Sequence, residues 1–353
     1  MADILPPPTP YFTDESTTLY LGDSLAVLRA LPDASVNCCV TSPPYFGLRD
    51  YGEAGQYGLE ASPAEYVETM RALFAEVRRV LANDGTLWLN IGDSYSGAGP
   101  SGAAYDSETT RRRAAGDGTD GNFRVSKRLA ERDLDYARKK PKPKGGIPSK
   151  NLFGIPWRTA FALQDDGWIL RAEIIWAKRN FMPEAVTDRV TRAHEQVFML
   201  TKSPRYWYDA DAIREESDPE QVAHNERYAK VYAAQADRAA TTGQPGNVNS
   251  AGIHSRPGKP GRNARSVWHI STQPFPDAHF ATMPRTLAER CVMAGCKPGG
   301  TVLDPFSGSG TTGLAAAKHG RKYVGIDLNA DYLDLSLRTR LAQPGLDFGE
   351  ATA

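Results

Sequence analysis

Hydrophobic positions along the chain fall into two periods. Short continuous apolar runs, SVNCCV, TLWLNI, TVL and YVGI, read as buried strands. Between them the spacing changes to that of helices. In SPAEYVETMRALFAEVRRVLANDG, Tyr66, Met70, Leu73, Val77 and Leu81 make one apolar stripe, with Ser62 as cap, Pro63 in the first turn and Glu65 completing a capping box. TLYLGDSLAVLRALP predicts a strand, a turn at Gly22 and Asp23, and a helix through Leu31, where Asp23 either caps the helix or faces a ligand. NLFGIPWRTAFALQDDG predicts a helix with Trp157, Phe161 and Leu163 in the core. WILRAEIIWAKRN and EQVFMLTKSPRYWYD predict two antiparallel strands. Pro284 opens a further helix that buries Leu287, Cys291 and Val292. Strands alternating with helices point to an α/β sheet.

Two stretches interrupt this alternation. In DPFSGSGTTG, a strand ends at Asp304 and Gly308, Gly310 and Gly313 follow in G-x-G-x-x-G spacing; a helix and the strand YVGI then lead to Asp327. Glycine lets backbone N–H groups approach a ligand where a Cβ would clash, and an acid ending the second strand can accept both hydroxyls of a ribose. The pattern suits either a dinucleotide or S-adenosylmethionine.

The second stretch, TSPPYFGLRDYG, lies far upstream. Pro43 and Pro44 cannot continue a sheet, so the strand stops at Ser42 in a rigid corner that presents carbonyl acceptors. Tyr45 and Phe46 add flat apolar surface beside them. Oxygens to receive hydrogens and a ring to stack on are what an aromatic amino group requires. Asp93, ending TLWLNIGD, is expected at the same sheet edge as Ser42.

Composition narrows the class. The 353 residues are 41% hydrophobic and 24% charged, with no apolar run long enough to span a membrane and no secretory leader, so the cytoplasm is the expected compartment. Four cysteines have neither zinc nor disulfide spacing, and His194 lacks a second ligand nearby, so no metal is expected. Formal net charge is +0, yet residues 111–144 hold 12 Lys or Arg against 5 Asp or Glu. A neutral total can therefore conceal a basic face that tracks a polyanion. Arg111, Arg112 and Arg113 open that stretch. Arg179, Arg189 and Arg192 lie between the two antiparallel strands, and Arg256, Lys259, Arg262 and Arg265 fall in a polar, asparagine-bearing segment suited to phosphates and base edges.

Together, Ser42-Pro43-Pro44-Tyr45 followed by Asp304-Pro305-Phe306-Ser307-Gly308-Ser309-Gly310-Thr311 resemble the amino-group DNA methyltransferases whose catalytic half precedes their cofactor half, most of all the cytosine-N4 type. The resemblance covers about residues 18–340. It implies S-adenosylmethionine as cofactor, with Asp327 on its ribose, Asp23 beside its adenine, and Phe280 and Pro284 near its methionine end. It also implies double-stranded DNA as substrate. A restriction endonuclease sharing the recognition site and a second copy of the chain stay open as partners.

The implied fold is a Rossmann-like, seven-stranded, mostly parallel α/β sheet with a reversed edge strand and permuted chain order. Residues 1–17 form a tail, 18–201 the catalytic half with a basic excursion at 94–146, and 202–266 an inserted target-recognition region. Residues 267–345 form the cofactor half and 346–353 a second tail. In the implied chemistry, Ser42 Oγ and the Pro43 carbonyl hold the amino group, Tyr45 stacks on the flipped base and Asp93 offers a proton route. No Pro-Cys pair is present for attack at cytosine C5. Adenine N6 is the alternative target. A structured-RNA or protein methyltransferase, a nicotinamide-dependent dehydrogenase and a non-catalytic DNA-binding protein are the readings that depart further.

Overall fold

The computed structural model describes residues 9–50, 52–96, 147–181, 183–217, 261–273 and 283–341, with 220, 223, 224 and 227 besides. Two units emerge, one made of 1–208 with 266–353 and one of 209–265. Within the described residues the first unit is built on a nine-stranded sheet flanked by helices.

In chain order its elements are β1 (Phe12–Thr13), β2 (Thr17–Leu21), α1 (Ser24–Ala30), β3 (Val36–Thr41), α2 (Pro63–Val80) and β4 (Leu81–Ile91). Then come α3 (Ile155–Asp165), β5 (Ile169–Ala177), β6 (His194–Thr201), β7 (Val267–His269), α4 (Arg285–Gly295) and β8 (Thr301–Asp304). The chain continues through α5 (Thr311–Lys318), β9 (Lys322–Asp327), α6 (Ala330–Ser336) and a π-helical turn, Leu337–Leu341. Strand order is β1-β2-β9-β8-β3-β4-β6-β5-β7.

Strands β2, β9, β8, β3 and β4 are mutually parallel, so their carboxyl ends line one edge. One expectation is corrected here and another extended. The sheet has nine strands, because short β1 and β7 extend its two sides. The reversed edge strand, β1 against β2, is joined by a second one inside the sheet: β6 runs antiparallel between β4 and β5, and its amino end therefore meets the carboxyl ends of its neighbours.

The core follows from continuous apolar strands covered by amphipathic helices. On α2 Ser62 caps as expected, with Glu65 N–H donating to Ser62 Oγ at 3.2 Å, but the Glu65 carboxylate reaches one residue beyond the capping-box position and accepts Ala61 N–H at 3.2 Å. Its buried stripe is Tyr66, Met70, Leu73, Phe74, Val77 and Val80. The helix stops at Val80, earlier than the apolar period suggests, since Leu81 is already extended (φ −75°, ψ 136°) and begins β4. Asn83, Asp84 and Gly85, poor helix formers, occupy an irregularity in the β3–β4 register.

On α3, Leu163 is buried, but Trp157 (37% exposed) and Phe161 (51%) lie on the outer face. Ile155, Thr159 and Ala160 fill the inner one. All four cysteines are buried and free, and burial pushes the thiols up. Among the described residues, no helix is long and apolar enough to cross a membrane. Residues 97–146 of the excursion lie outside the described residues.

Candidate active site at the carboxyl edge of the sheet

Parallel pairing of β3 with β8 sets the two motifs side by side: Cys39 lies opposite Leu303, and Thr41 Oγ donates to Asp304 Oδ1 at 2.7 Å. The same carboxylate accepts Phe306 N–H (3.0 Å) and Thr312 Oγ–H (2.8 Å). Asp304, read from sequence as a cofactor contact, is only 4% exposed, and its hydrogen bonds tie the glycine turn to the strand that carries Ser42. It is a brace between the two halves of the site.

Burial raises the Asp304 carboxyl to about 6 from an ordinary 3.8. Folding therefore favours its protonated form. Its contribution to stability is fully present below pH 4 and is lost as pH rises through 6, by about 3 kcal/mol. Chemical denaturation of the parent and of Asp304→Asn, which keeps the shape but cannot titrate, is expected to show the stability difference shifting by that amount between pH 4 and 7, to the parent's disadvantage at the higher pH. A difference that stays constant would remove this account of Asp304.

The glycine turn follows. Gly308 and Gly310 have φ of +50° and +76°, a region costly for residues with a Cβ. Gly310 and Gly313 are also closely packed, since a Cβ on Gly313 would lie 2.6 Å from the Tyr323 ring. At Gly308 the added atom would meet nothing nearer than the Phe306 carbonyl, 4.0 Å away, and so would project into open space. The side chains of Ser307, Ser309 and Thr311 turn inward. Tyr323 Oη–H donates to Ser307 Oγ at 2.9 Å, and the Arg340 guanidinium donates to Ser309 Oγ at 2.9 Å and to Thr311 Oγ. Pro305 contributes its carbonyl, which accepts Ser24 Oγ–H at 2.6 Å.

Around that open space stand the groups an adenosine needs. Asp327 accepts Gly308 N–H at 2.7 Å on one oxygen and Asn329 N–H at 2.9 Å on the other, and the Leu328 backbone also bonds the carboxylate, which keeps acceptor capacity beyond these three. Burial pushes its carboxyl upward. Gly22 N–H donates to the Asp327 carbonyl, bringing Asp23 alongside. Asp23 caps α1, one oxygen accepting Ala26 N–H (2.8 Å), while the other accepts Tyr57 Oη–H (2.7 Å). The Tyr57 ring meets Phe306 edge to face at 5.3 Å, and Glu53 accepts a hydrogen bond from Asn329. Tyr57 and Glu53 carried no sequence signal, because both come from the irregular loop after β3. A glycine-lined recess, paired aromatic rings and carboxylates with lone pairs to spare fit S-adenosylmethionine.

At the Ser42–Tyr45 corner the acceptors are fewer than the two prolines suggest. Tyr66 Oη–H donates to the Pro44 carbonyl at 2.9 Å, and Phe46 is 1% exposed, packed on Tyr66 and Phe153. Phe46 is therefore core, and Tyr45 alone offers a partly open ring. Its hydroxyl donates to Glu195 Oε2 at 2.7 Å and receives Ser42 Oγ–H at 3.3 Å. Burial, with the Glu195 charge, holds that phenol well above its usual range, so it stays protonated. Asn90 Nδ2–H donates to Glu195 Oε2 at 3.2 Å, and Lys178 forms an ion pair with Oε1 while lying 4.7 Å above the Trp176 ring.

Glu195 went unread because it opens a strand expected at the edge, where a charge is ordinary. Asp93, read as a proton route, is engaged at the start of α3, where it accepts the backbone N–H groups of Gly154 (3.0 Å), Ile155 (3.2 Å) and Ser94 (2.9 Å). Helix N-termini recruit carboxylates in this way.

The candidate DNA contacts divide. Arg179 is exposed. Arg189 is turned inward, paired with Glu184 at 2.8 Å and lying 4.1 Å over the Tyr95 ring; Arg192 N–H donates to the same Glu184. In the second unit, Arg262 and Arg265 both pair with Glu215. Pro284 caps α4 through its carbonyl. Arg111, Arg112, Arg113, Arg256, Lys259 and Phe280 lie outside the described residues.

Comparison with known proteins bears on this edge. Residues 36–338 match the model of the DNA methylase family of N6 and N4 methyltransferases. The Type II methyltransferase M.Cfr9I of Citrobacter freundii is 43% identical over 320 residues, covering 91% of this chain and 86% of that protein. M.SmaI of Serratia marcescens is 41% identical over 322 residues, covering 91% and 89%. Among solved structures, the PvuII DNA methyltransferase (cytosine-N4-specific) superposes with a TM-score of 0.57 at 19% identity, covering 93% of this chain and 88% of that one, and so shares the fold.

Proposed function

The chain belongs to the DNA methylase family of amino-group methyltransferases, and from that premise we propose that it methylates the N4 amino group of a cytosine flipped out of duplex DNA. It is an enzyme of the Type II kind, acting on double-stranded DNA, and its cofactor is S-adenosylmethionine. The observation that carries the cytosine reading is the neutral Ser42 hydroxyl at the first position of the corner, hydrogen-bonded to Tyr45. A hydroxyl both accepts from an amino group and donates onward, whereas a carboxylate at that position only accepts. Adenine N6 is the alternative, and a pocket that accepted a purine would favour it.

When bound, S-adenosylmethionine supplies an electrophilic methyl group. Asp327 would hold its ribose, with Gly308 backing it and Tyr57 and Phe306 giving it aromatic surface. The chain's own part in the chemistry falls to the corner. An exocyclic amino nitrogen is a poor nucleophile because its lone pair is shared with the ring. Hydrogen bonds from the amino group to Ser42 Oγ and the Pro43 carbonyl favour a more pyramidal nitrogen. The partly open Tyr45 ring stacks on the base, which must leave the duplex to reach the corner. The four buried cysteines take no part. The basic stretch from 111 to 144, with Arg179, is proposed to hold phosphates. Residues 202–266 are proposed to read sequence, and a companion endonuclease and self-association complete the proposed partners.

Replacing Asp327 with alanine is expected to weaken S-adenosylmethionine binding by about 1–3 kcal/mol, through loss of charge-assisted hydrogen bonds. Calorimetry on the folded variant measures this directly, and parent-like affinity would remove Asp327 from the cofactor site. Transfer of labelled methyl groups from the cofactor is expected with duplex DNA as acceptor. Labelling of structured RNA or protein, with none of duplex DNA, would overturn the function.

A further inference from the structure

The catalytic corner continues inward beyond the motif that defines it. Ser42 Oγ–H donates to Tyr45 Oη at 3.3 Å, and Tyr45 Oη–H donates to Glu195 Oε2 at 2.7 Å. All donors in this row point the same way, from the sheet edge towards the carboxylate. Glu195 lies at the start of the reversed strand β6, whose amino end reaches this edge between β4 and β5, and it is held there by Asn90 and Lys178. Its side chain is 15% exposed, so the carboxylate is largely withdrawn from water. Asp93, the other acid at this end, is taken up by backbone amides. From this geometry, and resting on the proposed amino-group methylation, we infer that Glu195 is the proton sink of the reaction, acting through Tyr45 and Ser42 as a positioning residue that never touches the base.

The step balances. As the amino nitrogen bonds to the methyl carbon, the carbon–sulfur bond breaks and leaves a neutral thioether, and the nitrogen becomes cationic. One of its N–H bonds breaks, and the proton goes to Ser42 Oγ. Ser42 passes its own proton to Tyr45 Oη, and Tyr45 passes its proton to Glu195 Oε2. The product is a neutral methylated amine and a protonated Glu195, which returns its proton to water after product leaves. Moving the proton while the N–C bond forms avoids a full positive charge on the nitrogen in a partly desolvated site. Lys178, stacked on Trp176, keeps the carboxylate aimed at Tyr45 between turnovers.

Glu195→Gln tests this, because the amide oxygen can still accept from Tyr45 but cannot carry the proton. Single-turnover methyl transfer is expected to slow about 100-fold, with duplex and cofactor affinities at parent values. A solvent deuterium isotope effect is expected in the parent and not in the variant. Tyr45→Phe keeps the ring and cuts the row, so it should slow transfer by a similar factor, and the double variant should be no slower than either single one. Parent-like transfer by Glu195→Gln, an unchanged isotope effect, or losses that multiply in the double variant would each overturn the proposal. Nucleoside analysis of the parent product separates the two claims: N6-methyladenine would overturn the cytosine reading and leave the rate ratios to judge the relay.

Discussion

Gly92→Ala is expected to reduce methyl transfer by about 100-fold or more while the protein stays folded and still binds its cofactor. Gly92 follows β4 directly, and a Cβ there would lie 2.3 Å from Cε2 and 2.6 Å from Cδ2 of Tyr45. Contacts that short do not occur, so something must move. The backbone of β4 is fixed by its pairing with β3 and β6, which leaves the Tyr45 ring as the part that yields. That ring cannot yield and keep its hydrogen bonds to Glu195 and Ser42. A displacement of about 1 Å in a positioning group costs roughly 100-fold in rate. Overpacking by one methyl group costs stability only about 1–3 kcal/mol. Thermal unfolding with and without S-adenosylmethionine, beside a single-turnover assay, separates the two effects. Parent-like turnover would show that Tyr45 does not need its observed position.

Ser42→Ala is expected to lower methyl transfer by about 100- to 1,000-fold, the usual loss when an oriented hydrogen-bonding group is removed from the reacting atom. Cofactor affinity should be unaffected. The neighbouring Thr41 still bonds Asp304, so the brace beneath the glycine turn survives the substitution. The Tyr45–Glu195 bond also survives, since it does not pass through Ser42. Equal transfer rates for parent and variant, measured with saturating duplex and cofactor, would remove the hydroxyl from the chemical step.

Much of this edge could be read from residue order alone, for physical reasons. Gly308 and Gly310 need positive φ, and an acid at the end of each flanking strand is a local feature that spacing reveals. Two prolines stop a strand wherever they occur, so the corner after Ser42 was equally plain. The helix α2 announced its start through Ser62 and Glu65, but not its end, because Leu81 serves the apolar period of the helix and the interior of β4 alike.

Trp157 and Phe161 show a related limit. Their spacing fits a helix face, yet only the packing of Ile155, Thr159 and Ala160 decides which face is inward. Long-range contacts were silent. Residue order does not show that Asp304 bonds Thr41, nor that Gly154 and Ile155 donate to Asp93. Glu195 reaches Tyr45 from a strand distant in sequence, because β6 inserts between β4 and β5, a strand order that no local pattern encodes.

The central claim is that the hydroxyl-bearing corner transfers a methyl group to the N4 amino nitrogen of cytosine. Unmodified duplex DNA incubated with the protein and S-adenosylmethionine, digested to nucleosides and resolved by mass spectrometry, tests it most directly. The account predicts N4-methylcytosine, formed by the parent and lost in Ser42→Ala. N6-methyladenine in its absence would contradict it.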